Sequence, residues 1–147
     1  MLKPAAIIFG IFFLVAGIGG FVPALAPNGM LFGVFMVGPI HNCIHLASGV
    51  AALLCAFLTS GAAGRRGGDQ SLNPQPLPPK AGQSAARTYF QIFGVVYLLV
   101  AVIGFVYGNT PLLGMVEHNK ADIGLHLVIA AASLYLGFMA RRGVAEG

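Results

Sequence analysis

The sequence contains the apolar segment IFGIFFLVAGIGGFV at residues 8–22, and a related segment, IFGVVYLLVAVIGFV, occupies residues 92–106. The likeness continues downstream, where the dipeptide His45-Leu46 recurs as His126-Leu127. A repeat of this size usually marks two copies of one structural unit. It therefore predicts that the two halves fold alike and that His45 and His126 occupy equivalent positions.

The composition is that of a membrane protein. Hydrophobic residues make up 57% of the 147-residue chain and charged residues only 8%, with a mean hydropathy of +0.85. A soluble domain carries about 25% charged residues. Apolar runs at about residues 4–22, 40–60, 88–107 and 121–140 are each long enough to cross a bilayer as a helix. We predict an all-α membrane protein, a bundle of four transmembrane helices made of two parallel-repeat helical hairpins.

The domain organisation follows from the same runs. Residues 1–60 form the first hairpin, residues 88–147 form the second, and residues 61–87 are a Gly- and Pro-rich segment that we predict to be a flexible linker. Most basic residues lie on one side of the predicted helices, and this side is expected to be cytoplasmic by the positive-inside rule. The linker and both termini would share that side. The net charge of +4 does not indicate nucleic-acid binding, because basic clusters with interleaved aromatic residues are missing from the sequence.

All four histidines lie towards the helix ends on the other side of the membrane from the termini and the linker. His41 and His45 are four residues apart on the second helix, and Asp122 and His126 have the same spacing on the fourth. Residues four apart share a helix face, so these side chains can converge between helices. Imidazole and carboxylate groups suit zinc, iron or copper, which makes His41, His45, Asp122 and His126 a candidate transition-metal site.

Three other interpretations of these residues stay open. His45 and His126, at equivalent depth, could ligate one haem iron axially. Asp122 with His126 could relay protons or ions, since ionisable groups within a membrane are often functional. The same side chains could also serve only as a polar clamp between helices, with Asp122 stabilised by the helix dipole. The sequence favours the clamp.

Several segments resemble a known family. They are Phe93-Gly94-Val95-Val96-Tyr97, His41-Asn42-x-x-His45-Leu46 and Asn119-Lys120-Ala121-Asp122-x-x-x-His126-Leu127. With Leu113-Gly114 and Leu136-Gly137-Phe138, they are similar to the bacterial domain-of-unknown-function family 4383. The resemblance implies a small four-helix integral protein of the bacterial inner membrane, and it assigns no activity and no site residue. The chain departs from the family pattern at Ile123, where Asn is expected.

The sequence leans away from an enzyme, because it carries no phosphate-binding loop, nucleophile elbow or paired catalytic carboxylates. We expect an accessory or stabilising subunit of a membrane complex, since the chain is short and its helix faces carry small residues such as Gly17, Gly20 and Ala51. Its expected partners are the lipid bilayer and either a second copy of the chain or a larger membrane assembly. The alternative is a metal- or haem-binding redox or transport protein that uses the histidine cluster.

Overall fold

The computed structural model describes residues 2–64, 81–108 and 110–140, and for residues 59–64 and 81–84 it describes the backbone only. Four helices dominate it: α1 (Leu2–Gly19), α2 (Pro39–Gly64), α3 (Ala81–Tyr107) and α4 (Lys120–Leu134), which continues as a π-helical turn over Tyr135–Met139. Each contains a stretch long and apolar enough to cross a membrane. The predicted fold class, an all-α four-helix membrane protein, is confirmed.

The helices α2 and α3 are longer than their apolar runs. Helix α2 continues past Ser60 to Gly64, and α3 begins at Ala81, ahead of the predicted start at Thr88. Both therefore extend into the segment 61–87 that the sequence predicts as a linker. The Pro-rich part of that segment, residues 71–80, lies outside the described residues.

The helices pack in sequential pairs. Helix α1 runs against α2, α3 runs against α4, and the two pairs meet chiefly through α2 and α3. Close approach of α1 and α2 depends on Gly10 and Gly49, because a Cβ atom on Gly49 would lie 2.9 Å from the carbonyl oxygen of Gly10. The aromatic rings of Phe13 and Tyr97 fill the middle of the bundle, with centroids 5.4 Å apart.

The segment between α1 and α2 forms a small cap. Strand β1 (Met30–Leu31) pairs antiparallel with β2 (Phe35–Met36) around a tight turn. The two central turn residues, Phe32 and Gly33, have φ angles of 54° and 71°. Positive φ at both positions is the left-handed conformation, which is uncommon for a bulky residue such as Phe32.

A second tight turn lies between α3 and α4. Leu113 and Gly114 have φ angles of 54° and 72°, and Leu112 forms an antiparallel bridge with Val116. Each loop thus pairs with itself.

Candidate functional site: a histidine cluster

Three of the four histidines meet between α2 and α4. His41 and His45 lie in the first two turns of α2, His126 lies in the second turn of α4, and all three side chains are buried. The ring centroid of His41 lies 4.5 Å from that of His45 and 6.0 Å from that of His126. The four-residue spacing on α2 places two of these imidazoles on one face, and the packing of α4 supplies the third.

The ring nitrogens of the cluster face one another closely. One nitrogen from each of His41, His45 and His126 lies within 4.8 Å of the other two, and the Nε2 atoms of His41 and His45 are 3.2 Å apart. Zinc–nitrogen bonds of ~2.0–2.1 Å at a tetrahedral angle put two ligand nitrogens roughly 3.3–3.4 Å apart. The observed separation on α2 therefore already matches one edge of a tetrahedral site.

His41 is held in a defined tautomer by the backbone. Its Nδ1 atom lies 2.9 Å from the carbonyl oxygen of Glu117, and because a carbonyl only accepts, Nδ1–H is the donor. The neutral ring then presents its Nε2 lone pair to the cluster. A ligating histidine usually has its second nitrogen bonded in this way to a carbonyl or carboxylate.

His45 is less completely satisfied. With a lone pair on Nε2 of His41, the 3.2 Å contact requires Nε2–H of His45 to donate. The Nδ1 atom of His45 is buried and has no hydrogen-bond partner. A buried polar atom without a partner costs about 1–3 kcal/mol, so the three imidazoles do not satisfy one another fully.

His118, the fourth histidine, lies outside the cluster. It is buried beside α3, and its ring nitrogens are each 3.4 Å from a backbone carbonyl oxygen, of Val116 on one side and Gly104 on the other. It links the loop before α4 to the end of α3. This residue supplies a natural control for experiments on the other three.

Asp122 takes a structural position, although the sequence groups it with the histidines. Its Oδ2 atom accepts hydrogen bonds from the backbone N–H of Asn119 at 2.8 Å and of Met36 at 3.0 Å. The Asn119 side chain in turn accepts from the N–H groups of Ala121 and Asp122, which completes a capping box at the start of α4. The structure brings His41, His45 and His126 together as one group of metal-ligand geometry, and Asp122 joins the hairpin cap to α4.

The cluster lies at the edge of a cavity of about 230 Å³. The three histidines and Tyr97 line it together with apolar residues of α2, α3 and the loop before α4. A haem held axially by His45 and His126 would need its flat macrocycle between their nitrogens. One nitrogen of His41 also lies within 4.8 Å of a nitrogen of each of them, so three imidazoles converge on one point, which favours a single ion over a haem.

Two residues of the site escape the sequence-based prediction. Ser48 is one turn beyond His45 on α2, and its hydroxyl lies 3.5 Å from that of Tyr97. The ring of Tyr97 packs edge-on against His126, with centroids 5.3 Å apart. The spacing of His41, His45 and Ser48 along one helix face could have predicted the serine. Tyr97 could not be predicted in this way, because it reaches the site only through the packing of α3 against the other helices.

Comparison with known proteins adds a family and nothing more. A model of the family described as "Domain of unknown function (DUF4383)" matches residues 3–65 and 79–139, a range that contains all three clustered histidines. No curated protein and no solved structure matches the chain.

Proposed function

Because the chain belongs to this family of unknown function, we propose from its geometry that it is a membrane protein that binds one transition-metal ion through His41, His45 and His126. One observation carries the proposal. Three buried imidazole nitrogens from two different helices lie within 4.8 Å of one another inside an apolar bundle. Imidazole is the commonest protein ligand for zinc and copper, and three imidazoles with an open fourth position are typical of zinc sites that act on a ligand.

The competing interpretation is a polar clamp without a ligand. A clamp should pair its polar atoms, since an unpaired group in an apolar interior is costly. Here the Nδ1 atom of His45 has no partner, while His41 directs a lone pair into the cluster because Glu117 fixes its other nitrogen. A bound ion would replace the Nε2 proton of His45, so that the Nε2 lone pairs of both rings would point at the ion, and this supports the metal over the clamp.

The surrounding charge also supports a cation. Glu117 and Asp122 are the carboxylates of the described residues, and both lie at the end of the bundle that holds the histidines. A divalent ion on three neutral imidazoles brings two positive charges into a poorly solvated place. Two carboxylates nearby reduce that cost without ligating the ion.

The orientation in the membrane is part of the same proposal. We infer a bacterial inner-membrane protein with both termini in the cytoplasm, on the strength of the basic residues at one side of the helices. The histidine cluster then lies in the outer half of the bilayer. An internal repeat is supported by matching contacts, because a Cβ on Gly10 would meet Leu53 and a Cβ on Gly94 would meet Leu134 at equivalent positions of the two halves.

The accessory-subunit role that the sequence favours stays a prediction. It requires a partner complex, and its support is the small size of the chain and the small residues on its helices. A metal-binding chain can still act inside a larger assembly, so the two roles are compatible. The expectation of a redox or transport activity likewise stays a prediction that depends first on the metal.

The test is metal stoichiometry in detergent-purified protein. Separate samples of the protein are loaded with Zn²⁺, Cu²⁺ or Co²⁺, freed of excess by dialysis and analysed for metal, alongside His41→Ala, His45→Ala and His126→Ala variants and a His118→Ala control. We expect one zinc per chain in the parent and the control, and a loss of at least tenfold in affinity in each cluster variant. An absorption spectrum of the protein as purified checks for haem.

Two results would contradict the proposal. Parent protein that retains no zinc, copper or cobalt after loading would leave the cluster as a clamp. Equal zinc retention in the His118→Ala control and in a variant lacking all three clustered histidines would place the metal elsewhere. Helix content measured by circular dichroism separates loss of the site from loss of the fold.

A further inference from the structure

The two halves of the chain are bonded to each other at the end of the bundle where α2 and α4 begin. His41, at the start of α2, donates to the backbone carbonyl of Glu117, and Asp122, at the start of α4, accepts from the backbone N–H of Met36. The residues of the two bonds correspond, since each residue of the second half lies 81 positions after its counterpart in the first. Each half thus holds the loop of the other half with a side chain from the first turn of a helix.

The segment that leads into α4 lies against the histidine cluster. We name residues 112–119 the strap. Three apolar residues of the strap line the cavity together with the histidines, namely Leu112, Leu113 and Val116. His41 is only 3% exposed, although it is the third residue of α2 and lies about 3 Å along the helix axis from its first residue. Because the strap contacts His41 and lines the cavity, it is part of what shields the cluster from water at this end.

A further polar contact joins the strap to the β1–β2 hairpin. The side-chain Nδ2 of Asn119 donates to the backbone carbonyl oxygen of Val34 at 2.8 Å, and this bond is exposed. The Oδ1 atom of the same side chain accepts from the N–H groups of Ala121 and Asp122 and so caps α4. The contact with Val34 can therefore be removed without changing the helix cap or a proposed metal ligand.

Two short routes lead from outside the protein to the cluster. The sideways route crosses the cavity between α2 and α3, where Ile44 and Val96 are exposed within candidate membrane spans and the lining is almost wholly apolar. A divalent cation on that route would have to leave water for the acyl chains of the bilayer, which is costly. The route past the strap begins at the helix ends, close to the carboxylate of Glu117, and avoids the bilayer interior.

We propose that the strap and the β1–β2 hairpin form a gate through which the metal ion reaches and leaves the histidine cluster. The Asn119–Val34 contact and the two bonds between the halves close this gate. The inference rests on the proposed metal site, and it concerns the speed of ion exchange at that site. A change in the gate alters the barrier and leaves the ligands as they are, so it changes the rates of binding and release by one common factor while the affinity stays the same.

The variant Asn119→Ser tests the gate. Serine is as good a helix N-cap as asparagine, and it lacks the amide that donates to Val34. Zinc binding and release are measured in detergent by stopped flow with a fluorescent chelator, and the affinity is measured by competition. Loss of one hydrogen bond corresponds to about two- to tenfold in an equilibrium between closed and open forms. We expect both rates to rise by a factor in this range, with an unchanged affinity and one zinc per chain.

A control variant and a second measurement complete the experiment. Met115→Ser replaces an exposed side chain of the strap and leaves the Asn119 contact in place, so it should keep the parent rates. Amide hydrogen exchange of residues 112–119, followed by mass spectrometry in the metal-free protein, reports opening of the strap directly. We expect faster exchange in Asn119→Ser than in Met115→Ser.

The outcomes separate this inference from the proposed function. Zinc that binds and leaves Asn119→Ser at the parent rates overturns the gate and leaves the metal site standing. Faster release alone, with weaker affinity, also overturns it, because Asn119 would then support the shape of the site and not its access. Equal amide exchange in the two variants would show that the Asn119 contact does not close the strap. If the parent protein binds no zinc, the proposed function fails, and the gate fails with it.

Discussion

The Nδ1 atom of His41 donates a hydrogen bond of 2.9 Å to the backbone carbonyl of Glu117, which lies in the other half of the chain. This contact joins the start of α2 to the loop before α4, and it fixes both the orientation and the tautomer of a histidine in the cluster. The carboxylate of the same glutamate occupies the space above Gly38 that a larger residue would fill. Glu117 thus positions His41 through its backbone, while its side chain covers Gly38.

Replacing Gly38 by Ala should change metal binding little. The added methyl group would displace the carboxylate of Glu117, which is the far end of a flexible side chain and can move without the backbone carbonyl that holds His41. Zinc affinity should therefore fall by less than the ~10–100-fold that loss of such an outer contact costs. Zinc competition with a chelator measures the effect. A loss of about tenfold or more would show that the methyl group also moves the backbone of Glu117.

Asp122 is expected to contribute to stability and not to metal ligation. Asp122→Ala leaves the N–H groups of Asn119 and Met36 without their acceptor and removes the capping box. Loss of a helix cap costs about 0.5–2 kcal/mol, and each part-buried N–H left unpaired adds to it. Thermal unfolding in detergent should show a lower midpoint, with one zinc per chain retained. Lys120→Ala in the same helical turn is the control, and loss of zinc in Asp122→Ala would restore the aspartate as a ligand.

Much of the fold was predictable because one physical rule dominates it. A bilayer forces long apolar segments into helices, so the four runs and their approximate ends follow from hydropathy. The four-residue spacing of His41 and His45 likewise indicates one shared helix face. These features depend on residues that are near one another in the chain.

The rest of the site depends on contacts that spacing does not encode. The four-residue spacing of Asp122 and His126 suggests a metal ligand. In the structure, the Asp122 carboxylate instead accepts a hydrogen bond from the backbone N–H of Met36, which lies in a loop distant in the sequence. Tyr97 enters the site only because α3 packs against both α2 and α4. The self-pairing of the two loops depends on left-handed residues such as Phe32 and Leu113. The sequence does not predict this conformation there, because bulky residues rarely adopt it.

The approach of α1 to α2 gives a stability prediction with a matched control. A Cβ on Gly49 would lie 2.9 Å from the Gly10 carbonyl oxygen and 3.0 Å from the Leu14 nitrogen, and these backbone atoms cannot move alone. Gly49→Ala should therefore separate the helices and cost about 1–3 kcal/mol, the usual range for an overpacked site. Gly124→Ala on α4 places its methyl group in open space and should change stability little. Unfolding by a denaturing detergent compares the two, and equal stability would show that the first pair of helices tolerates a wider spacing.

Arg87 should hold the last turn of α4 in place. Its guanidinium donates to the carbonyl oxygens of Gly137 at 3.0 Å and Ala140 at 2.8 Å, which the π-helical turn leaves available near the helix end. Hydrogen bonds to a charged group are worth about 1.5–3 kcal/mol each when they are well formed. Since Arg87 is only partly buried, the loss in Arg87→Met should fall at or below the lower end of that range.

Limited proteolysis should detect faster cleavage after residue 134 in Arg87→Met than in the exposed neighbour variant Thr88→Ala. Arg87→Lys should lie between the two, because a single ammonium can reach one carbonyl but lacks the planar fork that spans both. Equal cleavage in all three proteins would show that α4 ends stably without the arginine, and that packing of Gly137 against Gln91 is sufficient to hold it.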